Sequence, residues 1–335
     1  MDKLLRRALI MAALFGFAGC GGGMTSQPSS LASQGAPAFV HSGVPVAPPL
    51  MLRAFGHKST SGKYPTKKSL LFEGDQDEAA VNIYQTAALA KNPAPIATIH
   101  VAHGCPYGVA TDKKGTIYVA DNCGSGSFVG DVEEFPKGST TLKTTITEGI
   151  SYPIGMAIDK SGTLYVTGYD PASISEYPAG ATSPSKVITG GGLTDPAGIA
   201  LDGSGNLYIA DFGATAVFEL PAGGSSVTNL GLQDLGEPIA VAVDVKTGDL
   251  WETGGSEDAI NVYQLRSSTS PIKTITGDGF PYAIGSENKG KPKGEIVESD
   301  IDTHAVYAFA PGSYTPYATL TNGIEQPTGL LITRP

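Results

Sequence analysis

The chain has 335 residues, including 44 Gly and 24 Pro; 16% of residues are charged and the net charge is −10 at pH 7. Apolar residues come in short runs broken by Gly and Pro, which argues against a helical bundle and for an all-β chain rich in turns. Beyond the N-terminal Lys3, Arg6 and Arg7, the loops at Lys67-Lys68, Lys113-Lys114 and Lys289 to Lys293 read as solvated turns, and there is no other Lys/Arg cluster. Phosphate neutralisation needs a basic face, so nucleic acid is a poor partner.

At the N-terminus, Lys3, Arg6 and Arg7 precede an apolar run from Ala8 to Ala18 that ends in Gly19-Cys20. That order of basic, apolar and small residues is a secretory signal. The run is shorter than the roughly 20 residues of a spanning helix. The tetrad Phe17-Ala18-Gly19-Cys20 resembles the bacterial lipobox, with Phe17 where Leu is usual. The resemblance implies that residues 1–19 are removed, that Cys20 is acylated, and that the chain is exported and lipid-anchored to the cell envelope. Gly21 rather than Asp after the cysteine implies, in a diderm, the outer membrane. An ordinary secretory signal and a transmembrane anchor are the competing readings. Residues 20–63 are dominated by Ser, Pro, Ala and Gly and bury too little surface to offset chain entropy, so they read as a flexible tether.

From residue 64 onward the sequence repeats. One segment recurs as Gly115-Thr-Ile-Tyr-Val-Ala-Asp121, Gly162-Thr-Leu-Tyr-Val-Thr-Gly168, Gly205-Asn-Leu-Tyr-Ile-Ala-Asp211, Gly248 to Gly254 and Gly294 to Asp300, with a looser copy at Lys68 to Gly74. A second follows each: Ala80 to Tyr84, Asp131 to Phe135, Ser173 to Tyr177, Ala216 to Leu220, Ala259 to Tyr263 and Ala305 to Phe309. Short β-branched runs such as Pro95 to Ile99 and Pro271 to Ile275 come third and suit outer strands. A fourth segment begins at Pro106, Pro153, Pro196, Pro238, Pro281 and Pro327; its alternation of small and aliphatic residues suits an inner strand crowded near an axis. Asp112-Lys-Lys-Gly115, Asp159-Lys-Ser-Gly162 and Asp202-Gly-Ser-Gly205 join fourth to first segments as hairpin turns. Each has too few carboxylates for a calcium site.

A period of about 42 to 47 residues with four strands per unit is that of a propeller blade. The expectation is a six-bladed β-propeller over residues 64–335. The first blade lacks an inner strand and the chain ends with a spare one, Pro327 to Thr333, so the two termini close the ring and remove two open edges. The pattern Pro-x-Gly-x-Ala-x-Asp-x-x-Gly-x-Leu-Tyr-Val-Ala-Asp resembles the NHL-repeat propellers and the wider group that includes the gluconolactonase and virginiamycin B lyase families. It is specific for fold and weak for function.

In gluconolactonase-like propellers, metal ligands ring the channel mouth near the Pro-x-Gly positions. This chain has Tyr107, Ile154, Ala197, Ile239, Tyr282 and Thr328 there, so that ligand ring is not expected. Asp195 and Glu237, which precede two of the prolines, could form an acidic cluster with Asp211 and Glu252 that binds a cation or moves a proton. Virginiamycin-lyase-like enzymes use a histidine with acidic partners, for which His103 is the candidate; His41 and His57 fall in the tether. No nucleophile elbow, P-loop or dinucleotide fingerprint is present. Folding the hairpin about residues 112–115 brings Cys105 opposite Cys123, and export favours a disulfide there. That disulfide would pin the loop Asp121 to Asp131, which carries Phe128. The leading expectation is a binding module for an envelope protein, peptide or glycan through Phe128, Asp195, Glu237, Asp211 and Glu252, with no cofactor. A lactonase or lyase using a divalent metal is the alternative.

Overall fold

The computed structural model describes residues 62–123, 129–254, 258–277, 279–287 and 294–334. The signal segment, Cys20, His41, His57 and the rest of the tether as far as residue 61, and Phe128, lie outside the described residues.

Each repeat folds into four antiparallel strands because alternate side chains along the strands pack between neighbouring blades. Blade 2 runs Pro106–Thr111, Ile117–Asp121, Asp131–Phe135, Thr144–Ile146 from axis to rim, and the same order recurs in blades 3 to 6, which start at Pro153, Pro196, Pro238 and Pro281. Blade 1 takes its inner strand, Pro327–Thr333, from the C-terminus and pairs it with Leu70–Asp75, followed by Ala80–Gln85 and Ala97–His100. The six inner strands each contact the next, so the blades form a closed ring. The expected six-bladed propeller and its closure by the two termini are what the chain adopts.

The core lies between blades. Leu70, Phe72, Val81, Ile83 and Ile99 of blade 1 face Val109, Ile117, Val119 and Phe135 of blade 2, and equivalent clusters follow around the ring. Near the axis the small residue after each Pro-x is a steric requirement. A Cβ on Gly108 would lie 2.5 Å from the Ile154 carbonyl oxygen, and one on Gly198 would lie 2.7 Å from the Ala240 Cα.

Polar residues lock the connectors to alternate blades. Tyr84, Tyr177 and Tyr263 hydroxyls donate to the Gly323, Glu148 and Gln233 carbonyls at 3.0, 2.8 and 2.8 Å. Two residues earlier, Asn82, Ser175 and Asn261 donate to the Gly323, Gly149 and Asp234 carbonyls. Thr167 and Thr253 hydroxyls bond the inner strand of the next blade through the Ala197 and Tyr282 carbonyls. The hairpin aspartates act as expected of turn residues: Asp112, Asp159 and Asp202 accept from backbone N–H groups two and four residues on. The described chain enters beside the third-to-fourth-strand turn of blade 2, where Lys63 bridges Ser139 and the Tyr64 N–H donates to the Gly138 carbonyl at 3.0 Å.

Candidate functional site

One face of the ring is built from two kinds of segment. These are the loop after each second strand and the residues leading into each inner strand. Backbone bonds knit them together: Asn122 N–H to the Cys105 carbonyl, Tyr169 to Tyr152, Phe212 to Asp195, Gln76 to Gln326 and Ile301 to Phe280. An aspartate at the end of the second strand performs the same task in several blades. Asp121 accepts from the N–H groups of His103 (2.6 Å) and Cys105 (3.0 Å), Asp211 from those of Thr194 (2.9 Å) and Asp195 (3.0 Å), and Asp75 from that of Glu325 (2.7 Å). All three are fully buried. They satisfy backbone donors that would otherwise be orphaned.

Asp211 therefore stands beside Asp195 as a framework carboxylate. Asp195 is half-buried, and burial followed by the charges of Asp211 and Asp170 raises its carboxyl above the usual range. Glu237 is exposed on the connector into blade 5, with φ +56°. Glu252 is buried within blade 5, where Asn261 Nδ2 donates to it at 3.3 Å. Among the described residues the four do not form a group whose ligand atoms all lie within 4.8 Å of one another.

Another group does converge. Ligand atoms of His103, Asp121, Asp131 and Glu133 all lie within 4.8 Å of one another, and among the described residues this is the His/Cys/Asp/Glu group that meets that condition. His103 Nδ1 lies 3.5 Å from Asp121 Oδ2 and 3.7 Å from Asp131 Oδ2, with 38% of its side chain exposed. Asp131 and Glu133 are buried. Glu133 Oε1 accepts from the Ala102 N–H at 2.9 Å, while Asp131 Oδ1 and Glu133 Oε2 have no hydrogen-bond partner among the described residues. Burial, then Asp121, pushes Asp131 up to about 6, with His103 opposing. Burial, offset by the Ala102 N–H and reinforced by Asp121 and Asp131, pushes Glu133 up to about 7. Sequence reasoning had singled out His103 but not Asp131 or Glu133. The available signal was the repeat itself, since the position of Asp131 is Ala80, Ser173, Ala216, Ala259 and Ala305 in the other blades.

Cys105 and Cys123 are placed for a disulfide, with Cα atoms 5.1 Å apart, inside the range a disulfide spans. The link would clamp the connector that carries His103 to the strand end that carries Asp121. On the axis, Tyr107, Ile154, Ala197, Ile239, Tyr282 and Thr328 are all buried, and the Tyr107 and Tyr282 rings meet edge-on at 6.4 Å. The opposite mouth of the channel opens into a cavity of about 620 Å³ walled by Met156, Ile199, Val241, Ile284 and Leu330. On its rim Arg334 is ion-paired with Glu287 and Glu295.

Charge divides sharply between the two faces. Among the described residues, the loops after the second strands and the residues leading into the inner strands hold no Lys or Arg. They do hold the partly or fully exposed Asp77, Glu78, Asp170, Asp195, Glu237 and Glu325. Among the described residues, the lysines and arginines sit on the opposite face and the rim, several of them paired, as Lys143–Glu134, Lys186–Glu176 and Arg266–Glu219. Crowding of acids registers in their titration: Asp77 is raised by burial and then by Glu325.

No family model matches the chain, and no curated protein sequence matches it. Solved structures do. A propeller in the crystal structure of a nidogen/laminin complex aligns with TM-score 0.65 and 19% identity over 79% of this chain and 98% of its own. A protein of unknown function from Bacteroides caccae aligns with TM-score 0.59 and 14% identity, covering 80% and 100%. A catalytically inactive virginiamycin B lyase from Staphylococcus aureus, solved with quinupristin, aligns with TM-score 0.54 and 12% identity, covering 81% and 94%. At these identities the likeness is one of fold: a six-bladed propeller similar to the virginiamycin B lyase type.

Proposed function

We propose that this chain is an exported, lipid-anchored propeller that acts as a binding module, capturing a positively charged protein or peptide on its acidic face. The segregation of charge carries this reading. A surface of one sign with no interspersed counter-charge concentrates ligands of the opposite sign, raises their on-rate and repels acidic competitors. Its described connectors are knitted together by backbone hydrogen bonds, which lowers the ordering cost of binding. A propeller of the same fold is present in the nidogen/laminin complex, in keeping with a role in protein recognition.

The test is titration of the exported protein with a fluorescent oligolysine peptide at low and at physiological salt, against a variant carrying Asp77→Asn, Asp170→Asn, Asp195→Asn, Glu237→Gln and Glu325→Gln. Saturable binding that weakens with salt and is lost in the variant is expected. Equal binding by both proteins, or none by the wild type, defeats the proposal. A divalent-metal lactonase or lyase remains the second reading. Its support is the convergence of His103 with three carboxylates, and metal-dependent turnover of a lactone or a cyclic depsipeptide would favour it.

A further inference from the structure

We infer that blade 2 carries a binding site for one divalent transition cation of the Mn²⁺ or Zn²⁺ class, formed by His103, Asp121, Asp131 and Glu133. Three observations combine. First, the ligand atoms lie within 4.8 Å of one another, and an ion with bonds of about 2.0 to 2.2 Å to nitrogen and oxygen spans donor pairs of that separation after small side-chain adjustments. Second, Asp131 is 3% exposed and Glu133 1%, yet each presents an oxygen with no hydrogen-bond partner among the described residues. A buried carboxylate left in that state is costly, and a cation at the common point removes the cost.

Third, the repeat supplies an internal control. Four of the other blades place Ala at the position of Asp131 and fold the same strand pair, so the framework does not require a carboxylate there. Asp121 differs in kind: it doubles as a loop cap, as Asp75 and Asp211 do. The imidazole decides the class of ion, since mixed imidazole and carboxylate donors suit Mn²⁺ and Zn²⁺, whereas Ca²⁺ and Mg²⁺ prefer oxygen alone. His103, the exposed member, gives the ion its path from solvent, and the Cys105–Cys123 pair fixes the connector on which it sits. The site does not depend on the acidic face being a docking surface, and either proposal can fail alone.

The experiment is thermal unfolding and isothermal titration of the exported protein, stripped with EDTA and then given MnCl₂, ZnCl₂, CaCl₂ or MgCl₂. Wild type and Asp131→Ala are compared. The expected result is one equivalent of Mn²⁺ or Zn²⁺ bound, with Tm raised by about 5 °C at 100 times the dissociation constant. Asp131→Ala should lose that binding at least tenfold while remaining at least as stable as wild type in EDTA. Absence of a shift with Mn²⁺ and Zn²⁺, an equal shift in Asp131→Ala, or an equal response to Ca²⁺ and Mg²⁺ overturns the assignment. Marked destabilisation of Asp131→Ala in EDTA also overturns it, by giving Asp131 a framework role.

Discussion

Glu73 offers a direct measure of what a buried carboxylate costs this fold. It is fully buried in the second strand of blade 1; Oε2 accepts from Asn82 Nδ2 at 3.4 Å, and Oε1 has no partner among the described residues. Burial, and then the charge of Asp75, hold its carboxyl well above the ordinary value of 4.5, against the Asn82 bond, with Glu78 adding to the rise. The folded state therefore keeps a proton that the unfolded chain has released. Below about pH 4 both states are protonated and Glu73 has no pH-dependent effect. Above 4.5 its contribution to stability falls by about 1.4 kcal/mol per pH unit until the folded-state value is reached. Glu73→Gln keeps the shape and an acceptor oxygen while removing the titration. Urea unfolding in EDTA at constant ionic strength, followed by circular dichroism from pH 4 to 7, should show variant and wild type diverging in favour of the variant. The gap should widen steadily as the pH rises above 4.5. Stability–pH curves that run parallel across that range would refute the reasoning.

Three further outcomes follow from the same geometry. Cys123→Ser, or reduction of the wild type, should lower stability by about 3 kcal/mol, since the pair closes a separation of 18 residues and such a loop carries roughly that chain entropy; mass spectrometry under non-reducing conditions first checks that the bond forms. Deleting residues 327–335 removes the inner strand of blade 1 and exposes the edge of Leu70–Asp75, and cooperative unfolding should give way to a broad, low-temperature transition in calorimetry. Tyr177→Phe removes the bond to the Glu148 carbonyl and should cost about 1 kcal/mol in urea midpoints, whereas Tyr152→Phe on the open face should cost little.

The sequence made the strands, the hairpin turns, the closing partner of blade 1 and the meeting of Cys105 with Cys123 legible because each is a local or repeated event. Periodicity fixes which residues pair, and the pivot at residues 112–115 fixes which cysteine faces which. The convergence of His103 with Asp131 and Glu133 was less visible. His103 belongs to the connector out of blade 1, and the two carboxylates belong to the third strand of blade 2. Asp195, Glu237, Asp211 and Glu252 looked alike as letters. Burial separates them into a half-buried acid, an exposed acid, a loop cap and a residue inside the sheet.

That separation bears on how a repeated fold acquires function. Asp75, Asp121 and Asp211 recur because each accepts from two or three backbone donors where a loop closes onto the next inner strand. Their recurrence marks architecture, and a ligand has no part in explaining it. Asp131 and Glu133 break the repeat at positions where Ala and neutral residues serve the other blades, so the shared framework does not account for their burial. The exposed acids Asp77, Asp170 and Glu237 make a different departure. They cost little individually in water, and only the absence of any Lys or Arg among the described residues of that face gives them a collective field. A cation site should thus respond to one substitution, while the acidic face should respond in graded steps as its charges are removed one by one, with the salt dependence of oligolysine binding shrinking at each step. A loss of peptide binding concentrated in Asp131→Ala, with Asp77, Asp170 and Glu237 inert, would place the capture of cationic ligands on the carboxylates of blade 2 and overturn the reading of the exposed acids as a collective field.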